Sequence, residues 1–215
     1  MFITFEGGEG SGKTTQVAIL ARHLAGRGYD VVQTREPGGT TLGEAIRALL
    51  FDERYRRMDA RAEIFLYLAS RAQHVAEKIR PALAAGKIVL CDRFTDATLV
   101  YQGCGRGLSP DAIVPLLDFA AAGAIPDATF LLDLDVSVGF SRLSRRGDIN
   151  RFDRETVAFH ETIRQGYLTL ARRQPERIRV IPADTDIDTV AKEIRAHADR
   201  LIPRRSLAVP SAPAT

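Results

Sequence analysis

The chain has 215 residues, 45% of them hydrophobic and 27% charged, a size and balance that suit a folded α/β domain with a full core. A net charge of +3 with no long basic run fits small anionic ligands and argues against nucleic acid as a partner. Two cysteines, Cys91 and Cys104, are too few for a disulfide framework, and no apolar run approaches the ~20 residues of a membrane span, so a cytoplasmic protein without a membrane partner is expected.

The first predicted element is the strand Phe2-Ile3-Thr4-Phe5, apolar and ended by glycines; its start at residue 2 leaves no room for a signal peptide. Residues 7 to 14, GGEGSGKT, then fit G-x-x-x-x-G-K-[ST], and a helix is predicted over Gln16 to Ala25. Strand, glycine-rich turn and helix in that order form a phosphate-binding loop. Gly7, Gly8, Gly10 and Gly12 let successive N–H groups point into one hollow, and the helix N-terminus adds positive partial charge. Glu9, Ser11 and Thr15 belong to the same nucleotide-binding stretch. Lys13 is expected on the β- and γ-phosphates of ATP, and the Thr14 hydroxyl on Mg²⁺.

Asp30 to Thr34 reads as a second strand, followed by the irregular loop REPGGT and a helix over Leu42 to Leu50, capped by Thr40 or Thr41. Asp59 is expected to cap a long helix over Ala60 to Ala85, which Pro81 kinks or shortens. Lys87 to Cys91 is an apolar strand suited to the interior of a parallel sheet. A helix is predicted over Thr95 to Gln102, another begins at Ser109-Pro110, and a fourth strand covers Ala128 to Leu134. Ser137 is read as the cap of a helix reaching Ser144. The charged segment Arg145 to Asp153 is expected to be mobile. A helix over Glu155 to Arg173, a strand over Ile178 to Ile181 and a helix over Asp188 to Leu201 complete the order. The tail 203–215 has a disordered composition.

Strands alternating with helices predict a five-stranded parallel sheet covered on both faces, with ligands beyond the carboxyl ends of the strands. The chain is expected to form a single P-loop NTPase domain over 1–202, with a short arginine-bearing lid at about 142–153.

Mg-nucleotide chemistry usually needs a carboxylate at a neighbouring strand end. Asp92 is favoured over Asp133 and Asp135 because Arg93 beside it can hold a phosphate. Arg142, Arg145, Arg146 and Arg151 form a charge run that is either a solvated face or a lid closing over the transferring phosphoryl. An acceptor site is suggested by Tyr67 and Arg71, four residues apart on one helical face; the plain alternative is a core Tyr and a surface Arg. The histidines are scattered without zinc spacing.

FEGGEGSGKTT, TREPGGT, SRAQHV, DRF with YQG, and RFD with GYLTLA occur in an order and spacing that resemble bacterial-type thymidylate kinases over about residues 1 to 200. The resemblance implies ATP- and Mg²⁺-dependent phosphorylation of dTMP to dTDP, in dTTP biosynthesis, by a homodimer. It implies Glu9 on the deoxyribose 3′-hydroxyl, Arg93 and Arg47 near the acceptor phosphate, and Arg71, Thr98 and Gln102 around the thymine. Tyr67 stands where the family usually stacks Phe, and Ala97 where Ser is common. With no arginine inside the phosphate loop, the resemblance assigns the catalytic arginine to the lid: Arg151 first, Arg142 and Arg146 second. The rival expectations are another P-loop nucleoside monophosphate or deoxynucleoside kinase, or a P-loop ATPase switch.

Overall fold

A computed structural model of the chain describes residues 1–144 and 152–202. Strands Phe2–Glu6 (β1), Val31–Arg35 (β2), Ile88–Asp92 (β3), Ala128–Asp133 (β4) and Ile178–Pro182 (β5) form one sheet in the order β2-β3-β1-β4-β5. Every pairing is parallel, as a chain of strand-helix alternation requires. β1 lies at the centre and is buried along its whole length.

Its side chains alternate between two cores. Ile3 and Phe5 pack with Val17, Leu20 and Leu24 of helix α1 (Lys13–Gly26) and with Val190 and Ile194 of helix α9 (Ile187–Leu201). Phe2 faces the opposite layer, with Val75, Ile79 and Phe94. Burying each such side chain contributes about 1.5–3 kcal/mol. Thr4 and Glu6 share the parity of Phe2 and are polar; Thr4 shares a 2.7 Å hydrogen bond with Thr129 of β4.

The other helices are α2 (Thr41–Phe51), α3 (Ala60–His74), α4 (Arg80–Ala84), α5 (Thr95–Thr98), α6 (Pro110–Ala121), α7 (Val136–Ser144) and α8 (Val157–Arg173). Thr40 and Asp59 cap α2 and α3 as expected, each accepting a main-chain N–H. Three expectations need correction. The long helix predicted to Ala85 is interrupted by a π-helical turn at Val75–Ile79, just upstream of Pro81, which has no N–H for the helical ladder. The helix at Thr95 passes after one turn into a π-helical segment, Leu99–Gly105, that carries Tyr101 and Gln102. Ser137 is not the cap of α7: it lies inside the helix, and Asp135 accepts both its N–H (2.9 Å) and its hydroxyl (2.6 Å). Arg145, Arg146, Arg151 and the tail lie outside the described residues. Among those described, no helix is long and apolar enough to cross a membrane.

β1, β2, β3 and β4 end at Glu6, Arg35, Asp92 and Asp133 on one edge of the sheet. The loops that follow β1, β2 and β3 enclose a cleft there.

Candidate active site

The turn between β1 and α1 is tight because glycine allows backbone to meet backbone. A Cβ on Gly10 would lie 2.5 Å from the Gly139 carbonyl oxygen of α7. Lys13 folds back over this loop, donating to the Gly7 and Gly8 carbonyls (3.1 and 2.8 Å) and to Ser11 Oγ (3.3 Å). Burial, followed by the charge of Arg93, pushes its ammonium down to about 8.

The Thr14 hydroxyl donates to Asp92 Oδ2 at 2.5 Å, joining the start of α1 to the end of β3. Asp133 is engaged elsewhere: Arg164 grips both its oxygens, at 2.7 and 3.1 Å. Asp135 is held by Ser137 and by Arg164 at 3.4 Å. Of the three carboxylates weighed from the sequence, Asp92 alone pairs with the phosphate loop. A hydroxyl and a carboxylate oxygen side by side suit Mg²⁺, which keeps most of its waters and takes few protein ligands. Among the described residues there is no cluster of three or more His, Cys, Asp or Glu for a fully protein-bound metal.

Arg93 follows Asp92 with a left-handed backbone, φ 70°. That conformation costs a non-glycine residue about 1–2 kcal/mol and is held here by its N–H donating to Phe5 O at 2.9 Å. Its guanidinium donates to Gly7 O (3.1 Å) and Tyr167 OH (3.2 Å) through Nη1, and to Glu9 Oε1 (2.7 Å) and Tyr101 OH (3.1 Å) through Nη2. Burial drives the Glu9 carboxyl up, but Arg93 and then Lys13 outweigh it and hold the group at about 2. Glu6 behaves oppositely. Burial and the neighbouring Asp96 lift it to about 8, while it accepts from Phe94 N–H and Tyr167 OH, both at 2.7 Å.

A cleft of about 320 Å³ runs from Gly12, Lys13 and Thr14 to Tyr67, Arg71, Thr98 and Gln102. Glu9, Arg47 and Arg93 line the same cleft, whereas Gly7, Gly8, Ser11 and Arg142 are not part of its lining. Arg71 is not the surface arginine of the plain alternative; it is 1% exposed. Its Nε donates to Glu36 Oε2 (2.8 Å), and its Nη2 to Phe94 O and Thr98 Oγ1 (both 3.0 Å). Its Nη1 is buried with no hydrogen-bond partner among the described residues. Tyr67 is half-buried on the cleft wall, and Arg47 donates to Pro37 O at 3.0 Å while lying 4.3 Å above the Phe51 ring. The amide nitrogen of Gln102 is committed to buried Glu63 at 2.8 Å.

Phe152, missed in the sequence, is buried against Phe51, Tyr67 and Tyr101, with ring centroids 5.8–6.4 Å apart. Glu6, Glu36, Tyr101 and Tyr167 were also missed as site residues. Glu6 left a signal as a carboxylate ending an apolar strand, and Glu36, Tyr101 and Tyr167 lie within the REPGGT, YQG and GYLTLA motifs. Arg142 sits on α7 and not on a separate lid segment, donating to the Ala183 carbonyl at 3.0 Å and, at 3.5 Å, to that of Gly10.

The parallel sheet, the phosphate loop and the two-ended cleft define a P-loop nucleotide-binding protein of the kinase-like α/β class. Residues 5–194 match the family model for thymidylate kinase. A thymidylate kinase from Desulfovibrio desulfuricans is 49% identical over 212 residues, covering 95% of this chain and 98% of its own. One from Solidesulfovibrio magneticus is 48% identical, covering 94% and 100%. The crystal structure of thymidylate kinase from Ehrlichia chaffeensis superposes with a TM-score of 0.75 at 37% identity, covering 92% of this chain and 97% of that one. The chain belongs to the thymidylate kinase family.

Proposed function

We infer that this protein transfers the terminal phosphoryl group of ATP to the 5′-phosphate of dTMP, giving dTDP and ADP. The observation that carries the acceptor's identity is Arg71, which lines the cleft and whose Nη1 is a buried donor with no partner among the described residues. A donor fixed there pairs with the 4-oxo group of thymine and not with the 4-amino group of cytosine. With dCMP both groups would be left buried and unpaired.

The main-chain N–H groups of Gly7 to Thr15 and the Lys13 ammonium hold the phosphates of ATP. Thr14 and Asp92 would hold Mg²⁺, which neutralises charge on the transferring phosphoryl. Arg93 and Arg47 receive the acceptor phosphate, Glu9 the 3′-hydroxyl, and Tyr67, Arg71, Thr98 and Gln102 the base. Catalytic charge from the other side is assigned to Arg151, aided by Arg146 and Arg142. A homodimer is supported by exposed apolar side chains on three adjacent helices: Leu42 and Leu49 on α2, Phe65 on α3, Val114 and Phe119 on α6. Two free cysteines, Cys91 and Cys104, support a reducing, cytoplasmic setting.

The test is kcat/KM across dTMP, dUMP, dCMP, AMP, GMP and thymidine with ATP and Mg²⁺. dTMP should exceed dCMP by ~10- to 100-fold. A faster reaction with another base would assign a neighbouring kinase specificity, and rapid ATP hydrolysis without any acceptor would point to a P-loop switch.

A further inference from the structure

The loop after β2 and the C-terminal end of α3 carry two motifs, REPGGT and SRAQH, that phosphate chemistry does not explain. They meet in a buried polar chain. Thr34 Oγ1 lies 2.6 Å from His74 Nε2, His74 Nδ1 lies 2.9 Å from Glu36 Oε1, and Glu36 Oε2 accepts from Arg71 Nε at 2.8 Å. Glu36, His74 and Arg71 are at most 5% exposed. With Nδ1 donating to the carboxylate, His74 Nε2 is the acceptor for the Thr34 hydroxyl.

The loop is docked on α3 and on the π-helical turn that follows it to make this chain. Gly38 N–H donates to Ser70 Oγ at 3.2 Å, and Lys78 donates to Gly39 O at 3.2 Å. Gly39 presses directly on the pair: a Cβ there would lie 2.7 Å from both the His74 ring and Thr34 Oγ1. Glu36 is pinned from behind by its own N–H, which donates to Asp92 O at 2.9 Å.

We propose that Glu36 and His74 are positioning residues for acceptor selectivity, fixing the plane of Arg71 so that its unpartnered Nη1 meets only a pyrimidine with an acceptor at position 4. This rests on the dTMP reading above. A guanidinium has five N–H groups in one plane. Glu36, Phe94 O and Thr98 Oγ1 use those on Nε and Nη2, which leaves the two on Nη1 aimed by the other three. A buried Arg–Glu pair adds little net stability over apolar packing, so direction is what the arrangement supplies. His74 acts one step back, holding Glu36 on its far oxygen.

The test compares dTMP, dUMP and dCMP as acceptors in the wild type and three variants, with folding checked by circular dichroism. Glu36→Asp keeps the charge but shortens the reach to Arg71. It should lower the dTMP-to-dCMP ratio of kcat/KM by ~10-fold or more, through KM for dTMP. The dTMP-to-dUMP ratio and KM for ATP should hold, because dUMP shares the 4-oxo group. His74→Leu should lower the first ratio ~3-fold or more, and His74→Asn, which restores a donor near Nδ1, should recover it. An unchanged dTMP-to-dCMP ratio in His74→Leu and in any folded Glu36→Asp protein overturns the proposal. So does a parallel fall in the dTMP-to-dUMP ratio, which would mean general distortion. A wild type without dTMP preference would instead refute the function reading itself.

Discussion

Replacing Glu6 by Gln should make the protein more stable at neutral and alkaline pH. The side chain is wholly buried. Its burial, reinforced by Asp96, lifts the carboxyl from 4.5 to about 8, against the opposing pull of Arg93 and of hydrogen bonds from Tyr167 and Phe94. Between these two values the folded chain holds a proton that the unfolded chain has released, so stability falls as pH rises through the window. Below it both states are protonated and there is no penalty; above it both are ionised and the penalty is complete. Roughly 3–4 pH units at about 1.4 kcal/mol each give a penalty on the order of 5 kcal/mol. Gln has the shape of the protonated acid. Its oxygen can accept from Phe94 N–H and its amide can donate to the Tyr167 hydroxyl, with nothing left to ionise. Glu9 titrates at about 2, below the range, and His197 is common to both proteins, whereas Lys13, at about 8 and raised in part by the Glu6 charge, lies at its upper edge, so the divergence is read from its onset below that edge. Urea melts between about pH 5 and about pH 8 should show the two proteins close together at the acid end and separated by several kcal/mol at the other. Parallel stability curves would refute the reasoning.

Lys13 titrates at about 8 within the phosphate loop, and a bound polyphosphate must raise that value. ATP affinity should therefore weaken above about pH 8, by up to ~10-fold per unit; a calorimetric Kd that stays level to about pH 9.5 would contradict this. Asp92→Asn should reduce kcat by ~100-fold or more at saturating Mg-ATP. Asp133→Asn, which leaves the half-exposed Arg164 paired with Asp135 alone, should lower stability by only about 1 kcal/mol with near-normal kcat, and the reverse pattern would mean that the other strand end serves the metal. Tyr101→Phe removes a hydroxyl that bonds Glu9 at 2.8 Å and Arg93 at 3.1 Å. KM for dTMP should rise ~5- to 10-fold, and an unchanged KM would detach this hydroxyl from the acceptor site. Arg151→Ala should cut kcat by ~10³ with little change in dTMP binding, and Arg145→Ala far less; near-normal turnover in both would leave the charge run as a solvated face.

The local layers of this protein were legible in its amino-acid order. The phosphate loop, the five strands and the caps at Thr40 and Asp59 follow from spacing, turn chemistry and apolar periodicity, all of which act over a few residues. The choice of Asp92 over Asp133 was legible only as a preference, because both end strands of the same sheet. The Thr14–Asp92 bond and the Arg164–Asp133 fork separate them. The rest depended on contacts between distant positions. Glu6 meets Phe94 and Tyr167 across 88 and 161 residues, and although their hydrogen bonds favour its ionised form, burial in the assembled core and the nearby Asp96 outweigh them and lift it to about 8. Arg71 sits on an unremarkable helical face, and its burial comes from Glu36 on a loop 35 residues earlier and from the Phe94 carbonyl 23 residues later. Desolvation and partner geometry are properties of an assembled interior, so ionisation, the direction of a guanidinium and the packing of Phe152 against Phe51, Tyr67 and Tyr101 were decided by tertiary structure alone.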